Sequence, residues 1–255
     1  GRKLPEFDWL RETLVAPQPD AIDGACLSPN VIEALLSRAQ QVLIEKGFVT
    51  TRVLFQASAK KNDQLVFALV PGRIRTIRFD NPDKVTTNLR WAFPMQTGDL
   101  LNVRDIEQAL ENLKRIPTAD ADIKIVPSSH ANAELGDSDL SVSYQTPAAF
   151  RASITLDDSG TRVTGKYQSS VTISADNPLQ LNDMLYVTHN NDLGGGNAGD
   201  RGTHGDTIHY SIPFGYSLVS ATFNKGTSTK ASPVKTNRMC TEESVKTMIS
   251  NSPMF

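Results

Sequence analysis

The chain has little of what a disulfide-stapled, nucleic-acid-binding or helically membrane-spanning protein needs. It has two cysteines in 255 residues, Cys26 and Cys240, which cannot make a disulfide framework, and neither sits in CxxC or CxxH spacing. Arithmetic leaves their redox state undetermined. Lys plus Arg is 26 against 28 for Asp plus Glu, so no basic excess argues for a nucleic-acid partner. The longest apolar runs are five or six residues, such as Leu65–Val70, which excludes a transmembrane helix. The chain opens Gly1-Arg2-Lys3-Leu4 with neither initiator Met nor apolar leader. It therefore reads as a mature product or a fragment, with any export signal upstream. Hydrophobic residues make up 39%, enough for a folded core of one large or two smaller domains. A soluble protein and a β-barrel membrane protein both stay open, because barrel strands give a far weaker signal than a spanning helix.

What is present falls into two kinds of pattern. Ser28 suits an N-cap, Pro29 the first helical position, and Ile32, Leu35, Leu36, Ala39 and Leu43 recur at helical spacing until Gly47 ends the helix. Strand-like runs follow at 50–55 and 64–70. A second unit repeats the order: a strand over 73–79, a short helix within 85–93, and a stronger helix capped by Asn102. That helix has Asp105 at N3 and Ile106, Ala109, Leu110, Leu113 and Ile116 as its stripe. Strands over 121–126 and 139–144 close it. Two α+β units of about 70 residues result, the first lacking its opening strand.

After Pro147 the period becomes two. Phe150, Ala152, Ile154 and Leu156 alternate with polar residues, and Val163 to Asp176 alternates for longer than a typical soluble strand. Further strands are expected over 183–190, 207–214 and 217–223, with a glycine-rich polar loop at 192–202. Long dyad strands with aromatics near their ends fit a transmembrane barrel, and a β-sandwich is the rival. From Gly226 the alternation stops, and Glu242–Ile249 reads as a short helix.

No catalytic or metal constellation stands out. Asp157-Asp158 followed by Ser159-Gly160 is a hairpin turn before it is a carboxylate pair. His204 and Asp206 share a strand face while His209 points away, and His189 completes no zinc spacing. Gly194-Gly195-Gly196 lacks the GK[ST] of a phosphate loop, and Ser211 lacks a nucleophile elbow. Arg73, Arg75 and Arg78 are either a solvated strand face or a small contact for anionic headgroups or a partner. The expectation is a non-enzyme with no cofactor and no metal.

Several segments together resemble one family. Phe150 to Gly160 with Gly165-Lys166-Tyr167-Gln168 resembles the opening hairpin of the two-partner secretion transporters, the ShlB/FhaC/HecB haemolysin secretion/activation proteins. Asp176-Asn177-Pro178-Leu179 with Leu181-Asn182-Asp183 is similar to their next turn. Pro94 to Gln108 resembles the helix entry of their second POTRA domain; Cys26-Leu27 and Glu45 to Arg52 resemble the first. The resemblance implies α+β POTRA repeats (β-α-α-β-β) followed by the first antiparallel strands of a transmembrane β-barrel. It divides the chain into a partial first POTRA domain at 1–72, a second at 73–146, about five of sixteen barrel strands at 147–225 and an atypical tail at 226–255. It further implies a chain incomplete at both ends, and an unpaired Cys26, since the family's partner cysteine has no counterpart here.

The implied function is export of a haemolysin- or adhesin-type partner across the bacterial outer membrane without ATP. The POTRA domains would lie in the periplasm and capture the partner's amino-terminal secretion domain, and outer-membrane lipid would surround the barrel. In POTRA folds the middle strand in sequence is the sheet edge, which maps the substrate-binding edge to Asp122, Ile123, Lys124, Ile125 and Val126. Two alternatives remain at this stage: an outer-membrane protein assembly factor of the same superfamily, and a soluble periplasmic polymer-binding module.

Overall fold

The computed structural model describes residues 5–10, 29–56, 66–80, 89–146, 148–161, 165–195, 202–230 and 238–251. The helix expected after Pro29 is α1 (Pro29–Glu45), and it ends where the sequence requires. Gly47 takes a left-handed φ of 91° while its N–H and that of Phe48 close on the carbonyls of Ile44 and Leu43. A side chain there would collide with Asn102, whose Oδ1 lies 2.1 Å from the position of a Cβ. The proposed cap Ser28 and Cys26 lie outside the described residues.

Strands β1 (Arg52–Gln56) and β2 (Val66–Val70) pair antiparallel as a two-stranded sheet. Phe7, Leu10 and Leu43 form the core beside it, with Phe48, Val53, Leu69 and Leu100 packed around them. The second unit supplies β3 (Ile74–Phe79), the short α2 (Leu89–Ala92), α3 (Val103–Lys114), β4 (Asp120–Pro127) and β5 (Ser138–Gln145). Its sheet runs in the order β3-β5-β4. Asn102 caps α3 as expected, its Oδ1 accepting from the Arg104 N–H at 3.0 Å. Its Nδ2 donates to the carbonyl of Lys46 at the end of α1, so one amide serves two helix ends.

Six strands follow: β6 (Phe150–Asp157), β7 (Tyr167–Asp176), β8 (Met184–Gly194), β9 (Gly202–Phe214), β10 (Ser217–Lys230) and β11 (Arg238–Asn251). They form one antiparallel sheet in sequence order, an up-and-down meander that does not close on itself among the described residues. The tail departs from expectation. β10 continues past Lys225, and Glu242–Ile249 is strand, not helix, paired residue by residue with β10 from Ser217↔Asn251 to Lys230↔Arg238. The strand count is therefore six where five were expected. Ladder bonding along the free edge of β10 overrides the local helix preference of Glu242 and Glu243. Cys240 stands opposite Ser228 in that ladder.

The chain divides into two compact units, and the division passes through the second α+β repeat. One comprises 1–78, 95–107 and 123–142. It holds the first repeat and the greater part of the three-stranded sheet. The other comprises 79–94, 108–122 and 143–255, and holds α2, the second half of α3 and the meander.

Candidate functional site

Three features of the molecule have chemistry to offer. The first is the edge predicted from sequence. β4 pairs with β5 alone among the described residues. Asp122, Lys124 and Val126 are exposed along it, while Ile123 and Ile125 are half-buried on the other face. The opposite edge of the same sheet is covered at its start. Arg73 bridges to Leu100, the Ile74 N–H donates to the Asp99 carbonyl, and the Gly98 N–H donates to the Ile74 carbonyl. At the other edge β4 has no further strand among the described residues, and an edge of that kind can accept an added strand.

Arg73, just before β3, and Arg75 and Arg78 within it have acidic neighbours. Arg73 lies 4.0 Å from Glu6, Arg75 4.0 Å from Asp137, and Arg78 2.6 Å from the buried Asp139. Burial alone raises the Asp139 carboxyl, but the hydrogen-bond donors around it, Arg78 among them, outweigh burial and hold it below the usual carboxylate range. Arg75 and Arg78 lie on opposite faces of β3, and each has an acidic neighbour.

The second feature is the two-faced meander. Register places Ala152, Ile173, Val187, Ile208 and Phe223 in one row, flanked by Ile154 and Val171 on one side and Leu185, Tyr210 and Ala221 on the other. These apolar residues are largely exposed: Phe150 at 74%, Ile154 at 71% and Ile173 at 58%. The opposite parity is a lattice of hydroxyls, amides and one imidazole. Thr172 and Thr188 hydroxyls are 2.9 Å apart, Thr207 donates to Asn224 at 2.8 Å, and His209 bonds Thr222 at 2.8 Å while stacking on Tyr186. A soluble sandwich buries its apolar face; here the polar face is the more sheltered one on β9 and β10. Ten residues of β7, at about 3.4 Å each and a tilt near 40°, rise about 25 Å, the height of an outer-membrane apolar band.

The third feature was missed in the sequence. Gln108 and Asn112 on α3, with Arg115 just past its end, form a second, polar stripe beside the apolar one; Gln108 donates to Asn112, and Asn112 and Arg115 bind the meander. Asn112 Nδ2 donates to the carbonyls of Ala92 and Gly215, both at 2.8 Å. Asn182 Nδ2 donates to the Asn112 carbonyl at 2.6 Å, and the Tyr144 hydroxyl donates to Asn182 Oδ1 at 3.4 Å. Arg115 donates to the Asn182 carbonyl at 2.6 Å and to the Ser211 hydroxyl at 2.8 Å. Burial pushes its guanidinium down, opposed by the nearby Asp183 carboxylate. The β7–β8 turn that receives Arg115 is preformed at a cost: Asn177, Gln180 and Asn182 all hold left-handed φ near 60°. Asp183 offsets this by accepting from the Leu179 and Leu181 amides. Beside it, Asp176 takes a two-pronged ion pair from Arg151 and a bond from Thr118. The i, i+4, i+7 spacing of Gln108, Asn112 and Arg115 was the available signal.

The remaining sequence candidates are placed simply. Asp157 accepts from the Ser159 amide and hydroxyl, the geometry of a turn. His189 pairs with Asp206 at 2.7 Å on the outward parity, whereas His209 faces the polar side. Among the described residues no cluster of His, Cys, Asp and Glu is arranged to hold a metal.

The haemolysin secretion/activation protein ShlB/FhaC/HecB family matches residues 136–244, the POTRA domain matches 73–127, and the ShlB-type POTRA domain matches 10–72. Outer membrane transporter CdiB-2 of Burkholderia pseudomallei is 37% identical over 213 residues, covering 83% of this chain and 35% of that protein. Hemolysin transporter protein ShlB of Serratia marcescens is 25% identical over 207 residues, covering 80% and 35%. The solved structure of CdiB from Acinetobacter baumannii superposes with a TM-score of 0.80 at 25% identity, covering 91% of this chain and 43% of that one. The chain spans about a third of the length of these curated relatives.

Proposed function

Since the chain belongs to the ShlB/FhaC/HecB family of outer-membrane transporters, whose POTRA domains lie in the periplasm, we propose that it serves export of a secreted partner protein without ATP. The partner class is a haemolysin- or adhesin-type exoprotein, engaged through its amino-terminal secretion domain. The observation that carries this reading is the pairing of an uncovered strand edge, β4, with a sheet whose two faces differ in polarity.

The physics runs in three steps. An extended partner segment adds to β4 through main-chain hydrogen bonds, with Asp122, Ile123, Lys124, Ile125 and Val126 as the contact strand. Main-chain bonding is tolerant of sequence, which suits capture of an unfolded chain. The polar face of the meander then offers hydroxyl and amide partners with little apolar surface to hold the passing chain. Export without ATP requires that folding of the partner outside the cell draw it through. Two POTRA domains and the CdiB superposition support transport over assembly of other barrel proteins.

The test is proline scanning of the edge. Of Lys124→Pro and Ile125→Pro, one removes an N–H facing β5 and the other an N–H facing outward. The variant that keeps the wild-type thermal transition is expected to bind the partner's secretion domain at least about tenfold more weakly, about 1.4 kcal/mol. Wild-type binding by both variants would remove β4 from the account.

A further inference from the structure

We infer that the short helix α2 is a membrane anchor: Trp91, with Phe214 and Tyr216, sits in the headgroup layer at the periplasmic rim of the barrel wall. This rests on reading the apolar face of the meander as lipid-facing. Phe214 ends β9 on the same parity as Ile208 and Ile212 and is 60% exposed. Tyr216, in the turn just beyond, is 41% exposed. The Trp91 ring packs on Phe214 with centroids 5.3 Å apart and planes at 59°. It therefore lies against the outward side of the wall and not in its lumen.

The contact is fixed through the backbone as well. The Gly215 N–H donates to the Trp91 carbonyl at 3.2 Å, and Asn112 ties the carbonyls of Ala92 and Gly215 together. An indole held part-exposed at the end of an apolar band has an apolar body for acyl chains and an N–H for headgroups or water, which is the composition of an interfacial belt. Phe150, at the same end of the sheet and 74% exposed, extends that belt along the rim. The ligand class is a phospholipid surface, and the element making the contact belongs to the α+β unit, not to a barrel strand.

The sequence has two tryptophans, Trp9 and Trp91, so the indole can be read directly. The full chain carrying Trp9→Phe is reconstituted into phosphatidylcholine–phosphatidylglycerol vesicles, and flotation scores insertion first. Trp91 emission is then measured with lipids brominated near the glycerol, with lipids brominated near the acyl terminus, and with aqueous iodide. The inference predicts about twofold or stronger quenching by the shallow bromines, less by the deep ones, and protection from iodide relative to free indole. Floating protein whose Trp91 is quenched by iodide and unaffected by either lipid overturns the anchor while leaving the lipid-facing wall intact. Protein that does not float overturns the wall reading, and the anchor with it. Should Trp9→Phe disturb the core around Phe7, the difference between wild type and Trp91→Phe isolates the same signal.

Discussion

The two kinds of structure in this chain dispose of their large apolar residues in opposite ways. In the α+β repeats Leu43, Leu101, Leu113, Ile116 and Leu140 are fully buried and make the core. In the meander Ile154, Ile173, Val187, Ile208 and Phe223 are exposed, and the sheltered side holds serine, threonine and asparagine. The same amino-acid types obey the same hydrophobic effect in both regions; the solvent differs. Under the proposed function it is water on the outside for the repeats, and for the meander lipid on the outside and water within.

That comparison breaks if core and wall respond alike to the same deletion. Leu113→Ala empties space within a packed core and is expected to cost about 2–5 kcal/mol in denaturant unfolding. Ile173→Ala on the wall leaves no cavity, because acyl chains close on it, and should cost far less. The sharper contrast is between neighbours on one strand. Val171→Arg puts a charge near mid-bilayer and is expected to cost about 2–4 kcal/mol, seen as loss of the heat-modifiable band from outer-membrane fractions. Thr172→Arg, one residue along and facing the polar side, should insert like wild type.

The joint on α3 tests the repeats' side of the contrast, where polar groups are buried and must be paired. Asn112→Ala strips partners from the Ala92 and Gly215 carbonyls and is expected to cost about 1–3 kcal/mol. Protease cleavage near Ala148 would rise with it. The smallest effect concerns Asp139. Its folded pKa is lowered, so its contribution is whole above the unfolded carboxylate value of about 3.9 and is lost as pH falls through the folded value. Thermal unfolding of Asp139→Asn should therefore show a weaker pH dependence than wild type on the acid side only.

Periodicity made most of this legible. The helical stripe of Ile106, Ala109, Leu113 and Ile116 and the alternation from Phe150 onward each specify an element and the face it buries, because side-chain direction follows backbone geometry. The edge position of Ala121–Val126 came from the family resemblance and is where the sheet order puts it. Two things escaped. Val245 and Ile249 alternate with Ser244 and Lys246, yet the flanking glutamates read as helix, because a strand made by pairing carries a weak local signal. The joint escaped for a different reason. Asn112, Asn182 and Ser211 are brought together by tertiary packing alone, and the polar stripe on α3 reads as a solvated face until the turns that bury it are placed.

The most direct test of the two-solvent account is spin-label accessibility along β7 in vesicles, one label at each position from 168 to 175. The account predicts period-two alternation, with 169, 171, 173 and 175 accessible to dissolved oxygen in lipid and 168, 170, 172 and 174 accessible to a water-soluble nickel reagent. Labels reached by the nickel reagent at every position would make β7 a soluble strand and contradict the account.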